Sequence, residues 1–121
     1  SETLFNYLIN KDPNNPLYHY NLGIIKLDTN EVSSAIISFS NACNLDTNFY
    51  YARHHLAEAY ERINDFNLAI LNYNKAQSIN INRLNNTLNS LGNIFLKLIS
   101  SFGLVIINIS LIPASINIER G

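Results

Sequence analysis

Apolar side chains at Leu17, Tyr18, Leu22, Ile25 and Leu27 recur every three to four residues between Pro16 and Asp28, with Gly23 among them. That spacing is one face of a helix and not the alternation of a strand. Thr29-Asn30 supplies turn chemistry, and a second helical run starts at Glu31 and passes through Val32, Ala35, Ile36, Phe39, Ala42 and Cys43. Two helices joined by so short a turn form an antiparallel hairpin. The pattern restarts after Asp46-Thr47-Asn48, predicting a helix over 50–63, a turn at Asn64-Asp65 and a helix over 66–79. Asp65 is suited to capping the last of these, because its carboxylate accepts free N–H groups of the first turn.

The two hairpins are copies of one unit. Leu22-Gly23 recurs as Leu56-Ala57, Ala35-Ile36 as Ala69-Ile70, Phe39 as Tyr73, Ala42 as Ala76 and Leu45 as Ile79, a period of 34 residues. Such a period marks a stacked repeat array. The small residues Gly23, Ala35 and Ala42, matched by Ala57, Ala69 and Ala76, are expected where helices approach closely. Counting back aligns Phe5 with Phe39 and Asp12-Pro13-Asn14 with Asp46-Thr47-Asn48. Residues 1–10 therefore read as a second helix of a hairpin lacking its first, and the chain as a piece of a longer array. Four segments result: a partial repeat over 1–15, repeats over 16–49 and 50–83, and an irregular last repeat over 84–121. In that last segment Leu91-Gly92, Phe102 and Ser115 to Ile118 echo the unit with slips of one to three residues. Pro113 is expected to stop its final helix early.

These residues resemble the tetratricopeptide repeat family. Asn21-Leu22-Gly23, Ala35, Phe39, Ala42 and Asp46-Thr47-Asn48 carry the likeness in one unit, and Leu56-Ala57, Tyr60, Ala69, Tyr73 and Ala76 in the next. Asp12-Pro13-Asn14 matches the end of a preceding unit, and Leu91-Gly92 with Phe95 the start of a third full one. Lys26 departs from the family's aromatic, His19 and Arg53 from its large apolar residue, and Thr47 and Ile81 from its closing proline. The resemblance implies an all-α fold, a right-handed superhelical array of antiparallel helix hairpins. It also implies a non-catalytic scaffold whose first helices line a concave groove for a peptide or helix of a partner protein.

By position, that groove takes Leu17, Tyr20, Ile24 and Leu27 from one repeat and Tyr51, His54, Glu58 and Glu61 from the next. The third repeat adds Asn86, Asn89, Asn93 and Lys97. The competing expectation is that these are ordinary solvated helix faces. The family's clamp for C-terminal carboxylates needs cations where this chain has Tyr20, Ile24, His55, Asn86 and Ser90, so a two-carboxylate clamp is disfavoured. A partner with an apolar anchor and a basic residue facing Glu58 and Glu61 fits better.

Composition narrows the alternatives. Eight basic against nine acidic residues in 121 give a net charge of −1, which leaves no basic stripe for nucleic acid despite Tyr18, Tyr20, Tyr50 and Tyr51. Cys43 is the sole cysteine, so it has no disulfide partner, and it sits where a small buried residue belongs. His54, His55 and Glu58 are too few for a metal, which wants three or four convergent ligands. With no phosphate loop and no nucleophile elbow, neither catalysis nor a cofactor is expected. No signal-peptide pattern is read in these residues, and a cytoplasmic location is expected. Residues 98–118 carry no charge and approach the length of a bilayer span. Ser100, Ser101, Gly103, Asn108 and Pro113 interrupt them, favouring a buried hairpin over a membrane anchor. Two alternative roles stay open: an oligomerising segment of a longer array, with self-association through exposed array ends, and an adaptor anchored through 98–118.

Overall fold

Five helices make up this computed structural model over the residues it describes, 2–102: α1 (Glu2–Lys11), α2 (Pro16–Asp28), α3 (Val32–Leu45), α4 (Tyr50–Arg62) and α5 (Phe66–Ser101). The chain divides into two compact units, Ser1–Asn82 and Arg83–Gly121, and α5 contributes to both. The fold class over the described residues is all-α, built of antiparallel helix hairpins, as the periodicity predicts.

Helix ends in the first unit arise from local chemistry. Asn15 caps α2 by accepting the Leu17 N–H at 3.1 Å, and Pro16 takes the first helical position, where an N–H would be unpaired anyway. At the other end Asn30 adopts φ 62°, and the N–H groups of Asn30 and Glu31 donate to Leu27 O (3.1 Å) and Lys26 O (2.8 Å). This is the closure in which a left-handed residue satisfies the last carbonyls, and asparagine tolerates it better than other side-chain-bearing residues. The same closure recurs after α4. Asn64 has φ 62°, with Asn64 N–H to Glu61 O and Asp65 N–H to Tyr60 O, both 2.9 Å. Asp65 then caps α5 by accepting the Leu68 N–H at 3.2 Å. Between hairpins, Asp46 Oδ1 accepts the Asn48 N–H at 3.0 Å and its carbonyl accepts the Phe49 N–H at 3.1 Å.

One boundary departs from expectation. The helix expected to end at Ile79 continues to Ser101, through the boundary expected between residues 83 and 84. Where the earlier connections have Asp12-Pro13-Asn14 and Asp46-Thr47-Asn48, this one has Asn80-Ile81-Asn82. No proline removes a backbone donor, and no aspartate competes for one, so the helical ladder propagates.

The core of the first unit is built on α3. Ala35, Phe39, Ala42 and Cys43 pack with Leu27 of α2 and with Ala52, Leu56 and Ala59 of α4. Gly23, Ala57, Ala69 and Ala76 are buried too, so every small position singled out by the repeat is removed from solvent. Lys26 is held by two carboxylates. Its ammonium bonds Glu2 at 2.6 Å and Glu31 at 3.1 Å, tying α1 to the end of α2. Those two carboxylates hold its pKa above the ordinary lysine value.

In the second unit, the run from 83 to 101 exposes every side chain except the partly buried Ile99. No helix among the described residues is long and apolar enough to cross a membrane. Most of the span weighed as an anchor, and of the irregular last repeat after Phe102, lies outside the described residues.

Candidate partner-binding surface

The predicted groove residues of the first hairpin face α4. Tyr20 packs its ring against Phe49 at 4.9 Å, His55 at 5.6 Å and Phe39 at 5.9 Å, while Ile24 packs on the core. Burial, with a smaller effect of Tyr51, pushes the Tyr20 phenol above its usual pKa. Leu27 is only 4 % exposed, and its carbonyl accepts from Arg62 Nη1 at 3.2 Å. Leu27, expected on the groove, is a member of the buried core cluster of the first unit. Of this set only Leu17 is well exposed. His55 Nδ1–H donates to Tyr51 O at 2.9 Å, since a carbonyl can only accept.

One period later the same positions hold His54, Glu58 and Glu61, and here a recess stays open. Tyr50 and His54 of α4 face Tyr73, Gln77 and Asn80 of α5 across a volume of about 260 Å³. His54 stacks on Tyr50 at 5.9 Å and meets the Tyr73 ring edge-on at 5.3 Å. Tyr73 Oη–H donates to Glu61 Oε2 at 2.8 Å, and Arg62 Nη2 donates to Glu58 Oε1 at 3.0 Å. Tyr51 stands beside Tyr50 with 57 % of its surface exposed. The recess is thus lined by aromatic, imidazole and amide groups, with the Glu61 carboxylate bonded to its Tyr73. Asn86, Asn89, Asn93 and Lys97 lie in the second unit, exposed on α5.

The Tyr73 phenol is pushed up to about 12, first by burial, then by its bond to Glu61 and the charges of Glu61 and Glu58. A raised folded-state value means this phenol favours folding while neutral, fully so below the ordinary tyrosine pKa near 10. That contribution is lost as pH rises through about 12. An ultraviolet difference titration of wild type against Tyr73→Phe should show the missing phenol ionising well above the ordinary value. Ionisation near 10 would contradict the Glu61 bond.

Tyr50, Tyr73, Gln77 and Asn80 were not among the expected site residues. The period held the signal, since Tyr73 corresponds to Phe39, the side chain at the junction between hairpins. The other candidate chemistry stays structural. Cys43 is 1 % exposed, and burial foremost raises its thiol pKa, so the thiol is protonated and shielded. Among the described residues no group of three or more His, Cys, Asp or Glu side chains is placed to hold a metal.

Solved structures sharing this hairpin arrangement include the crystal structure of MamA, at TM-score 0.63 and 24 % identity over 64 % of this chain. Over that span the chain is similar to MamA in fold. The RS-1 MamA ArsTM double mutant matches at TM-score 0.65 and 17 % identity, and MSR-1 MamA at 0.64 and 22 %, each over 67 % of the chain. The chain spans about half the length of these MamA proteins, covering 46 %, 46 % and 47 % of them respectively. At such identities the likeness concerns the fold. No protein-family model and no curated sequence matches the chain.

Proposed function

We propose that this chain is a non-catalytic tetratricopeptide-type scaffold that binds a peptide or helix of a partner protein at the second hairpin. The recess between Tyr50, His54, Tyr73 and Gln77 carries this reading. It occupies the face that, one repeat earlier, is covered by a helix docking on Tyr20 and Phe39. A surface built to receive a helix is retained there, but its lining has changed. His54, Glu58 and Glu61 replace Tyr20, Ile24 and Leu27, so the occupant must bring hydrogen-bonding and basic groups as well as an apolar anchor. A polar lining that a partner would bury discriminates strongly, because a partner lacking the matching groups leaves it unpaired.

Peptide arrays probed with the purified chain should select segments pairing an aromatic or aliphatic anchor with Lys or Arg. For a selected peptide, His54→Ala with Gln77→Ala should weaken binding at least about tenfold, the effect of losing roughly 1.4 kcal/mol. Glu61→Gln should erase the preference for basic residues. Selection of acidic peptides, or binding indifferent to the double substitution, would refute the assignment.

A further inference from the structure

We infer that the second half of α5 is a coiled-coil seam that pairs with the same segment of a second copy of this chain, independently of the recess. The observation is a spacing that survives in three dimensions. Leu84, Leu88, Leu91, Phe95, Leu98 and Phe102 succeed one another at alternating steps of four and three residues. On a helix this places them along one stripe, the apolar seam of a left-handed coiled coil. Each is more than half exposed, between 54 % for Leu98 and 64 % for Phe95. An isolated helix gains nothing from arranging six large apolar side chains in this way, and water strongly disfavours leaving them bare.

The stripe supplies both halves of the packing. A hollow of about 460 Å³ is lined by Leu91, Gly92, Ile94, Phe95 and Leu98. Four of these stand at positions i, i+3, i+4 and i+7, the diamond that receives one side chain of a facing helix. Gly92 widens it, since a Cβ there would meet nothing within 4 Å. The knobs are residues of the same stripe, so the surface is complementary to itself, which is what a two-fold pairing requires. Leu84, Leu91 and Leu98 fill one of the two seam positions in each successive heptad. The flanking Asn85, Thr87, Ile94 and Ser101 bear no charge, so two copies meet without repulsion. Covering six such side chains on each copy removes on the order of 1,200 Å² from water, the lower edge of a stable dimer interface.

The test uses the whole 121-residue chain and light scattering after size exclusion. Wild type should run at twice its 13.7 kDa mass at roughly 100 μM, where a micromolar complex is saturated. Leu91→Asp with Leu98→Asp should lose the dimer at that concentration. Because both side chains are exposed in the single chain, its helical circular dichroism and the melting of the first unit should persist. Asn86→Asp with Asn93→Asp adds the same charge on the opposite side of the helix and should leave the dimer intact. A monomeric wild type, as when the chain's own residues or another protein cover the stripe, overturns the inference. So does a dimer that survives the leucine substitutions or falls apart equally with the asparagine ones.

Discussion

Replacing Phe39 by alanine is expected to cost about 3–5 kcal/mol of folding stability, the range for removing a fully buried aromatic ring. Phe39 has no exposed surface and is the largest of the fully buried side chains. Its ring lies 5.9 Å from Tyr20 and 5.7 Å from His55, so it bridges α2, α3 and α4. Its loss therefore loosens a hairpin and the junction with the next one together. Small domains have only about 5–15 kcal/mol in all, so the variant should be largely unfolded at a temperature where wild type is folded. Urea denaturation monitored by circular dichroism should show the midpoint collapsing, with Phe39→Leu falling between because it keeps more volume. A loss under about 1 kcal/mol would mean that the ring does not organise this core. The neighbourhood also bears on binding. Tyr20 and His55 rest on Phe39, so the variant should disturb the first hairpin before the recess at His54.

How far each feature is determined locally decides whether it can be read from the chain. The two turns are legible because Asn30 and Asn64 carry their own reason, a side chain that tolerates φ 62°, and Asp65 caps the helix after the second turn. The buried small residues are legible because a recurring Gly or Ala among large apolar positions has few causes other than close packing. The burial of Leu27 is not legible because family position alone does not say which residues of the first helix join the core; its place in the cluster with Phe39 and Leu56 does. The length of α5 is hidden because Leu91-Gly92 and Phe95 echo the start of a repeat, which favours a break before them. The continuous helix instead gives those residues a different periodicity, and the alternating spacing from Leu84 to Phe102 becomes their organising pattern. The recess is hidden for a related reason. Half of it comes from Tyr73, Gln77 and Asn80 on a second helix, whose part in a groove emerges only once α4 and α5 are placed together.

Gly23→Ala should also destabilise the first unit, although alanine is the better helix former by up to about 1 kcal/mol. A Cβ on Gly23 would sit 2.6 Å from Phe39 Cε1 and 2.7 Å from Cδ1, closer than carbon atoms tolerate. Only Phe39 could yield, and it is hemmed in by Tyr20 and by the stacked His55. Forcing an extra carbon into such a core costs about 1–3 kcal/mol, which outweighs the helix gain. The melting temperature should fall by several degrees, since each kcal/mol moves a domain of this size by about 4–8 °C. The second hairpin has Ala57 and the only partly buried Tyr73 at the equivalent positions, so the clash at Gly23 belongs to the fully buried ring of Phe39. Gly23→Ala combined with Phe39→Leu should therefore be less destabilised than the two single losses added together. The coupling arises because the smaller side chain vacates the space that the new methyl group needs. Additive losses would place the cost of the alanine in the α2 backbone and not at the ring.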